Sequence, residues 1–137
     1  MPLEDYRPPT KILLSALWAA TMFRYVYGDY FGLFVVGALK QMGAGIMGLL
    51  GPATPAILIA VSLLMAVPCL IVVASLVLSA SASRYANILL GLAYTLIMAV
   101  SLPGSEPFYI VLGIVEMALT FAIVLTAGRW PRVASDA

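Results

Sequence analysis

Four stretches of this sequence, at 11–35, 54–78, 84–102 and 107–129, are apolar over about 20 residues each, the length an α-helix needs to cross the hydrocarbon core of a bilayer. Hydrocarbon offers a peptide N–H or C=O no partner, so only helices, which satisfy their own backbone, and closed barrels can cross it. The runs therefore predict an all-α integral membrane protein, a four-helix bundle. Composition points the same way. With 64% hydrophobic residues, 9% charged residues and a mean hydropathy of +1.09, the chain has too little polar surface to cover a soluble globule. Four spans and their connections account for its 137 residues, which predicts a single membrane domain over 1–137.

Punctuation places the spans. Thr10, after Pro8-Pro9, is expected to cap the first, and Thr54-Pro55 supplies an N-cap and first helical residue for the second. The Ser-rich run 79–83 and the segment Pro103-Gly104-Ser105-Glu106-Pro107 are expected to turn the chain into the third and fourth spans. Such short connections make neighbouring helices antiparallel, hence an up-down topology. Arg7, Lys11, Arg84, Arg129 and Arg132 would lie on the side of the two termini, with Lys40 alone opposite, so the positive-inside rule predicts N-in and C-in. The charged opening followed by an apolar run has the outline of a signal peptide. However, the run is too long and contains Arg24 and Asp29, and further apolar segments follow, so a retained first helix is expected.

The first connection, 36–53, carries five glycines yet also Leu39, Ile46, Met47, Leu49 and Leu50; an interfacial or partly re-entrant segment on the outer face is expected. Its Gly43-Ala44-Gly45-Ile46-Met47-Gly48 matches G-x-G-x-x-G without the strand and acidic ribose ligand that a dinucleotide site needs. Gly28 and Gly32, four residues apart, are expected to let the first helix approach another span closely. No internal repeat is apparent.

Missing residue types limit the chemistry. The chain has no His and one Cys, Cys69, so imidazole metal or haem ligation, His-based proton relays and C-x-x-C redox chemistry have no residues to use. Cys69, in an apolar span, is expected to be a small buried hydrophobe. No catalytic or metal-ligating residue is assigned and an enzyme is not expected. The net charge of +1 comes with no basic stripe for nucleic acid.

Arg24, Asp29 and Glu116 are the ionisable residues well inside the spans. A charge at the bilayer centre costs roughly 2.5 to 3.5 kcal/mol on insertion scales, so such residues face a bundle interior, a partner or a water-filled path. Arg24 shares three- and four-residue steps with Leu17, Thr21, Tyr27, Gly28 and Phe31, whereas Asp29 is turned well away from it. Tyr109, Gly113, Glu116 and Thr120 form a polar-and-small stripe on the fourth span. Asn87, Gly91, Tyr94, Thr95, Met98 and Ser101 form another on the third. Counted from the cytoplasmic ends, Arg24 lies about 20 Å deep and Glu116 about 18 to 20 Å deep, so the two are expected to pair. The candidate polar core is thus Arg24, Glu116, Tyr27, Asn87 and Tyr94. It would serve either as hydrogen-bonded glue or as the lining of a small pocket for a lipid-soluble ligand or a proton path. Pro68 would free a backbone carbonyl toward it. Asp29, with Tyr25 and Tyr30, is the candidate outer-facing site.

Several segments together resemble an uncharacterised family of four-span prokaryotic membrane proteins that is itself similar to the DoxX-like superfamily. They are Leu14, Leu17-Trp18, Arg24-Tyr25-Val26-Tyr27-Gly28-Asp29, Gly37-Ala38-Leu39-Lys40-Gln41, Met65-Ala66-Val67-Pro68, Arg84-Tyr85-Ala86-Asn87 and Glu116. The resemblance covers about residues 11 to 130. It implies a prokaryotic cytoplasmic (inner) membrane, and Asn more often than Arg at position 24. Because one DoxX-like member is a subunit associated with quinone-linked sulfur oxidation, the resemblance also implies quinone as the one cofactor to consider. Three functions follow. The favoured one is a small accessory or structural membrane subunit with a polar intramembrane core. The alternatives are a proton-coupled small-molecule transporter and a quinone- or lipid-binding redox accessory. The expected surroundings are the lipid bilayer and either a homo-oligomer or a larger membrane complex, without nucleic acid.

Overall fold

The computed structural model describes residues 6–131. Its elements are α1 (Thr10–Gly32), α2 (Ala38–Gly43), a 3-10 turn (Gly48–Leu50), α3 (Pro55–Val77), α4 (Ala80–Ser101) and α5 (Pro107–Gly128). Three of them, α3, α4 and α5, are long and apolar enough to cross a membrane. At 23 residues α1 equals α3 in length, but it carries Lys11, Arg24 and Asp29 and is less apolar than the other three. Where a fourth span was expected, the structure thus has a long helix of mixed character.

Helix boundaries follow local chemistry. Thr54 Oγ1 accepts from the Ile57 N–H at 3.3 Å, and Pro55, which has no N–H to lose, takes the first helical position of α3. The expected cap at Thr10 is not formed: Pro9 is the N-cap residue, Thr10 is already helical, and no side chain caps α1. The start of α4 also differs from expectation, lying at Ala80 rather than near residue 84. Ser79 is its N-cap, its Oγ accepting from the Ala82 N–H at 3.4 Å, and the serines at 81 and 83 then continue the helix instead of turning the chain. α1 stops at Gly32, short of residue 35. A tight turn follows, ending at Gly37, whose φ of +84° suits glycine. The rest of the 36–53 connection winds into α2 and the 3-10 turn, closed by an antiparallel bridge between Ile46 and Pro52.

In the packing, α1 lies against α3 and α5, and α4 against α5 and α3. Two cations fasten the ends. Lys11 Nζ donates to the carbonyls of Leu76 and Leu78 at the end of α3, and Arg84 Nη2 donates to the Gly128 carbonyl at the end of α5. Both sit where the helix dipole and unpaired carbonyls favour positive charge. These bonds gather the start of α1, the end of α3, the start of α4 and the end of α5 at one end of the molecule. Arg132, the fifth residue in the charge count, lies outside the described residues. The buried interior is built from Leu14, Trp18, Tyr25, Ile71, Tyr94, Ile123 and Ala127, while much of the apolar surface of α3, α4 and α5 faces outward, as lipid-facing helices require.

Close helix approach occurs at glycines other than the expected pair. A Cβ at Gly32 would meet nothing within 4 Å, and one at Gly28 only ordinary contacts. At Gly91, on α4, a Cβ would lie 2.8 Å from Val124 Cγ2 and 3.2 Å from the Thr120 carbonyl oxygen of α5. Gly91→Ala is therefore expected to destabilise by about 1 to 3 kcal/mol through overpacking, outweighing the roughly 1 kcal/mol that Ala gains over Gly in a helix. Gly32→Ala should be neutral or mildly stabilising. Unfolding midpoints of the two variants in one detergent check this, and equal midpoints would refute the close approach.

Candidate functional site

On α1 the buried positions are Leu14, Trp18, Thr21, Arg24, Tyr25 and Gly28, a stripe of three- and four-residue steps in which Arg24 is a flank rather than the centre. Its guanidinium reaches α5: Nη1 lies 2.9 Å from Glu116 Oε2, so the ion pair expected from depth is formed. Both partners are nearly inaccessible, at 6% and 1% exposure. Arg24 Nε also donates to the Leu112 carbonyl at 3.1 Å, and Nη2 lies 3.9 Å from Met98 Sδ on α4. The rings of Tyr25 and Tyr109 lie 5.4 and 5.1 Å from its central carbon, within cation–π range. The other carboxylate oxygen, Glu116 Oε1, accepts from Tyr25 Oη at 2.7 Å.

Two of the expected positions differ here. Tyr25, assigned to the outer-facing site, is buried at 8% exposure and belongs to the Arg24–Glu116 centre. Tyr27, assigned to the polar core, is 56% exposed and stacks on Phe31. One cause explains both: the buried face of α1 is rotated from a face centred on Arg24 toward Tyr25, which moves Tyr27 outside.

A second polar centre forms nearer the end that holds Lys11 and Arg84. Asn87 of α4 is fully buried, and its Oδ1 accepts from Trp18 Nε1 of α1 at 2.7 Å and from Ser75 Oγ of α3 at 3.2 Å. Its Nδ2 donates to the Ser83 carbonyl at 2.7 Å, and Ser83 Oγ donates to the Ser75 carbonyl at 3.2 Å. One amide thus joins three helices. Trp18, Ser75 and Ser83 were not among the expected core residues. Their signal is the demand of a buried indole N–H for an acceptor, together with the Ser83–Asn87 four-residue spacing.

Between the two centres, Tyr94 Oη donates to the Leu64 carbonyl of α3. Pro68, four residues after Leu64, has no N–H to offer that carbonyl, so the hydroxyl of α4 takes the place of the missing helical bond. Tyr94 packs edge-on against Trp18 at 5.8 Å, and the hydroxyls of Thr95 and Thr120 meet at 2.6 Å across α4 and α5. The structure brings Arg24, Glu116, Asn87 and Tyr94 into the interior together with Tyr25. It leaves Asp29, Tyr27 and Tyr30 exposed on the C-terminal part of α1. Cys69 is exposed too, because α3 turns that position toward the surroundings. No group of His, Cys, Asp and Glu able to hold a metal ion occurs among the described residues.

A family of unknown function, DUF6326, matches residues 1–135. The chain belongs to this family. No curated protein and no solved structure matches the chain.

Proposed function

We propose that this DUF6326 chain is a small accessory or structural subunit of a prokaryotic cytoplasmic membrane, a four-span up-down bundle with both termini inside, whose buried polar residues fix its helices to one another. The observation that carries the structural reading is how fully Arg24 is used. Its guanidinium faces Glu116, the Leu112 carbonyl, Met98 and two tyrosine rings, leaving a charge compensated within the chain. The span count rests on α1, as long as α3, packing against both α3 and α5. Orientation rests on Lys11 and Arg84, which share one end with the start of α1 and the end of α5. The similarity of the resembled family to the DoxX-like superfamily bears on the other alternative, a quinone- or lipid-binding redox accessory.

The rival is a proton-coupled transporter in which Glu116 takes up and releases a proton. Proteoliposomes containing a trapped pH-sensitive dye separate the two readings. Under an imposed membrane potential, wild-type protein is expected to pass protons no faster than empty liposomes, and Glu116→Gln to be the same. A wild-type flux abolished by Glu116→Gln would overturn the structural reading.

A further inference from the structure

The face that α1 and α3 turn outward holds a groove of about 370 Å³ with an almost wholly apolar lining, including Met22 and Val26 from α1 and Cys69 and Val73 from α3. Asp29 lies seven residues beyond Met22 and three beyond Val26, so it continues this edge of α1 about 4.5 Å past Val26 toward the outer end. It is exposed and has no hydrogen-bond or ion-pair partner among the described residues. Tyr30, four residues beyond Val26, is exposed on the same edge and packs edge-on against Phe34 at 5.5 Å.

We propose that this groove and its outer rim bind a hydrophobic monocation, an amphiphile with an alkyl chain and an ammonium head. The chain would lie along the apolar lining. The head would sit between the Asp29 carboxylate and the Tyr30–Phe34 aromatic pair, since a carboxylate beside aromatic faces is the combination that recognises quaternary ammonium. Charge complementarity selects this occupant over a neutral or zwitterionic lipid. The carboxylate offers one negative charge at the edge of a low-dielectric surface, and no cationic side chain is paired with it among the described residues. A zwitterionic headgroup would bring a phosphate with nothing on this rim to meet it. The site shares no residue with the Arg24–Glu116 pair.

The test is a titration of the full chain, in a non-ionic maltoside detergent, with decyltrimethylammonium, bound copies being counted by native mass spectrometry. One copy is expected to bind saturably. Asp29→Asn should weaken it about tenfold, equivalent to about 1.4 kcal/mol, Asp29→Glu should largely restore it, and Val26→Trp, which fills the groove, should abolish it. Decyl phosphocholine, with the same chain and a zwitterionic head, should bind at least about tenfold more weakly. Because Asp29 is exposed, Asp29→Asn should unfold at the wild-type temperature. Any of three results would overturn the proposal: Asp29→Asn binding like wild type, the two decyl probes binding alike, or Val26→Trp leaving occupancy unchanged.

Discussion

Glu116→Ala is expected to cost about 3 to 5 kcal/mol of folding free energy, the scale on which breaking one side of a buried ion pair destabilises a protein. Most of this loss comes from Arg24. With Glu116 gone, the guanidinium keeps the Leu112 carbonyl and the two tyrosine rings but loses its ion-pair partner, and its depth gives water little access. Tyr25 loses its acceptor in the same step. The pair itself need not be a large net gain, because replacing both charges by apolar groups of similar volume is often neutral or better. Arg24→Leu combined with Glu116→Leu should therefore recover most of what Glu116→Ala alone loses. Equilibrium unfolding of Arg24→Leu, Glu116→Leu and the double variant, in one detergent, measures the coupling. If the losses simply add, the two residues do not act as a unit.

The second large effect is expected at Asn87. Asn87→Leu keeps the volume but leaves the Trp18 N–H and the Ser75 hydroxyl without the oxygen they share, each stranded group costing about 1 to 3 kcal/mol. Asn87→Asp separates the two halves of the amide. It retains an acceptor for Trp18 but replaces the Nδ2 donor with a carboxylate oxygen facing the Ser83 carbonyl, so it should be no better tolerated than Asn87→Leu. Trp18→Phe should be milder, about 0.6 kcal/mol on the scale of hydrogen bonds between membrane helices, because the oxygen it vacates still has Ser75. Near-wild-type unfolding of Asn87→Leu would show that this amide does not join the helices.

Much of this architecture was legible in the run lengths, because helix length and apolarity are what the bilayer selects. The Arg24–Glu116 contact was legible as well: two charges at one level in two long, mostly apolar helices have few other partners. What could not be read was rotation. α1 has polar or aromatic residues all round its C-terminal half, so apolar periodicity does not say which way that half turns. A face centred on the charged residue picks out Tyr27, whereas the packing, led by Leu14 and Trp18, turns Tyr25 inward. Cys69 was misplaced for a related reason. α3 is apolar on every side, so its sequence carries no mark of inside and outside. The Ser-rich run misled in another way, since one serine acting as a cap turns its neighbours from loop residues into helix residues.

The bond from Tyr94 to the Leu64 carbonyl bears on how the chain is assembled. A helix containing Pro68 enters the hydrocarbon with one carbonyl unpaired, and there it cannot fall back on water. The remedy belongs to a different helix, one that emerges from the ribosome only after α3 is complete and the short turn at Leu78-Ser79 has formed. α3 is therefore an incomplete insertion unit by itself, and the hairpin of α3 with α4 is the smallest piece whose backbone is satisfied at this point. The order of synthesis supplies the defect first and its repair immediately afterwards, which favours the two helices leaving the translocation machinery together rather than one at a time.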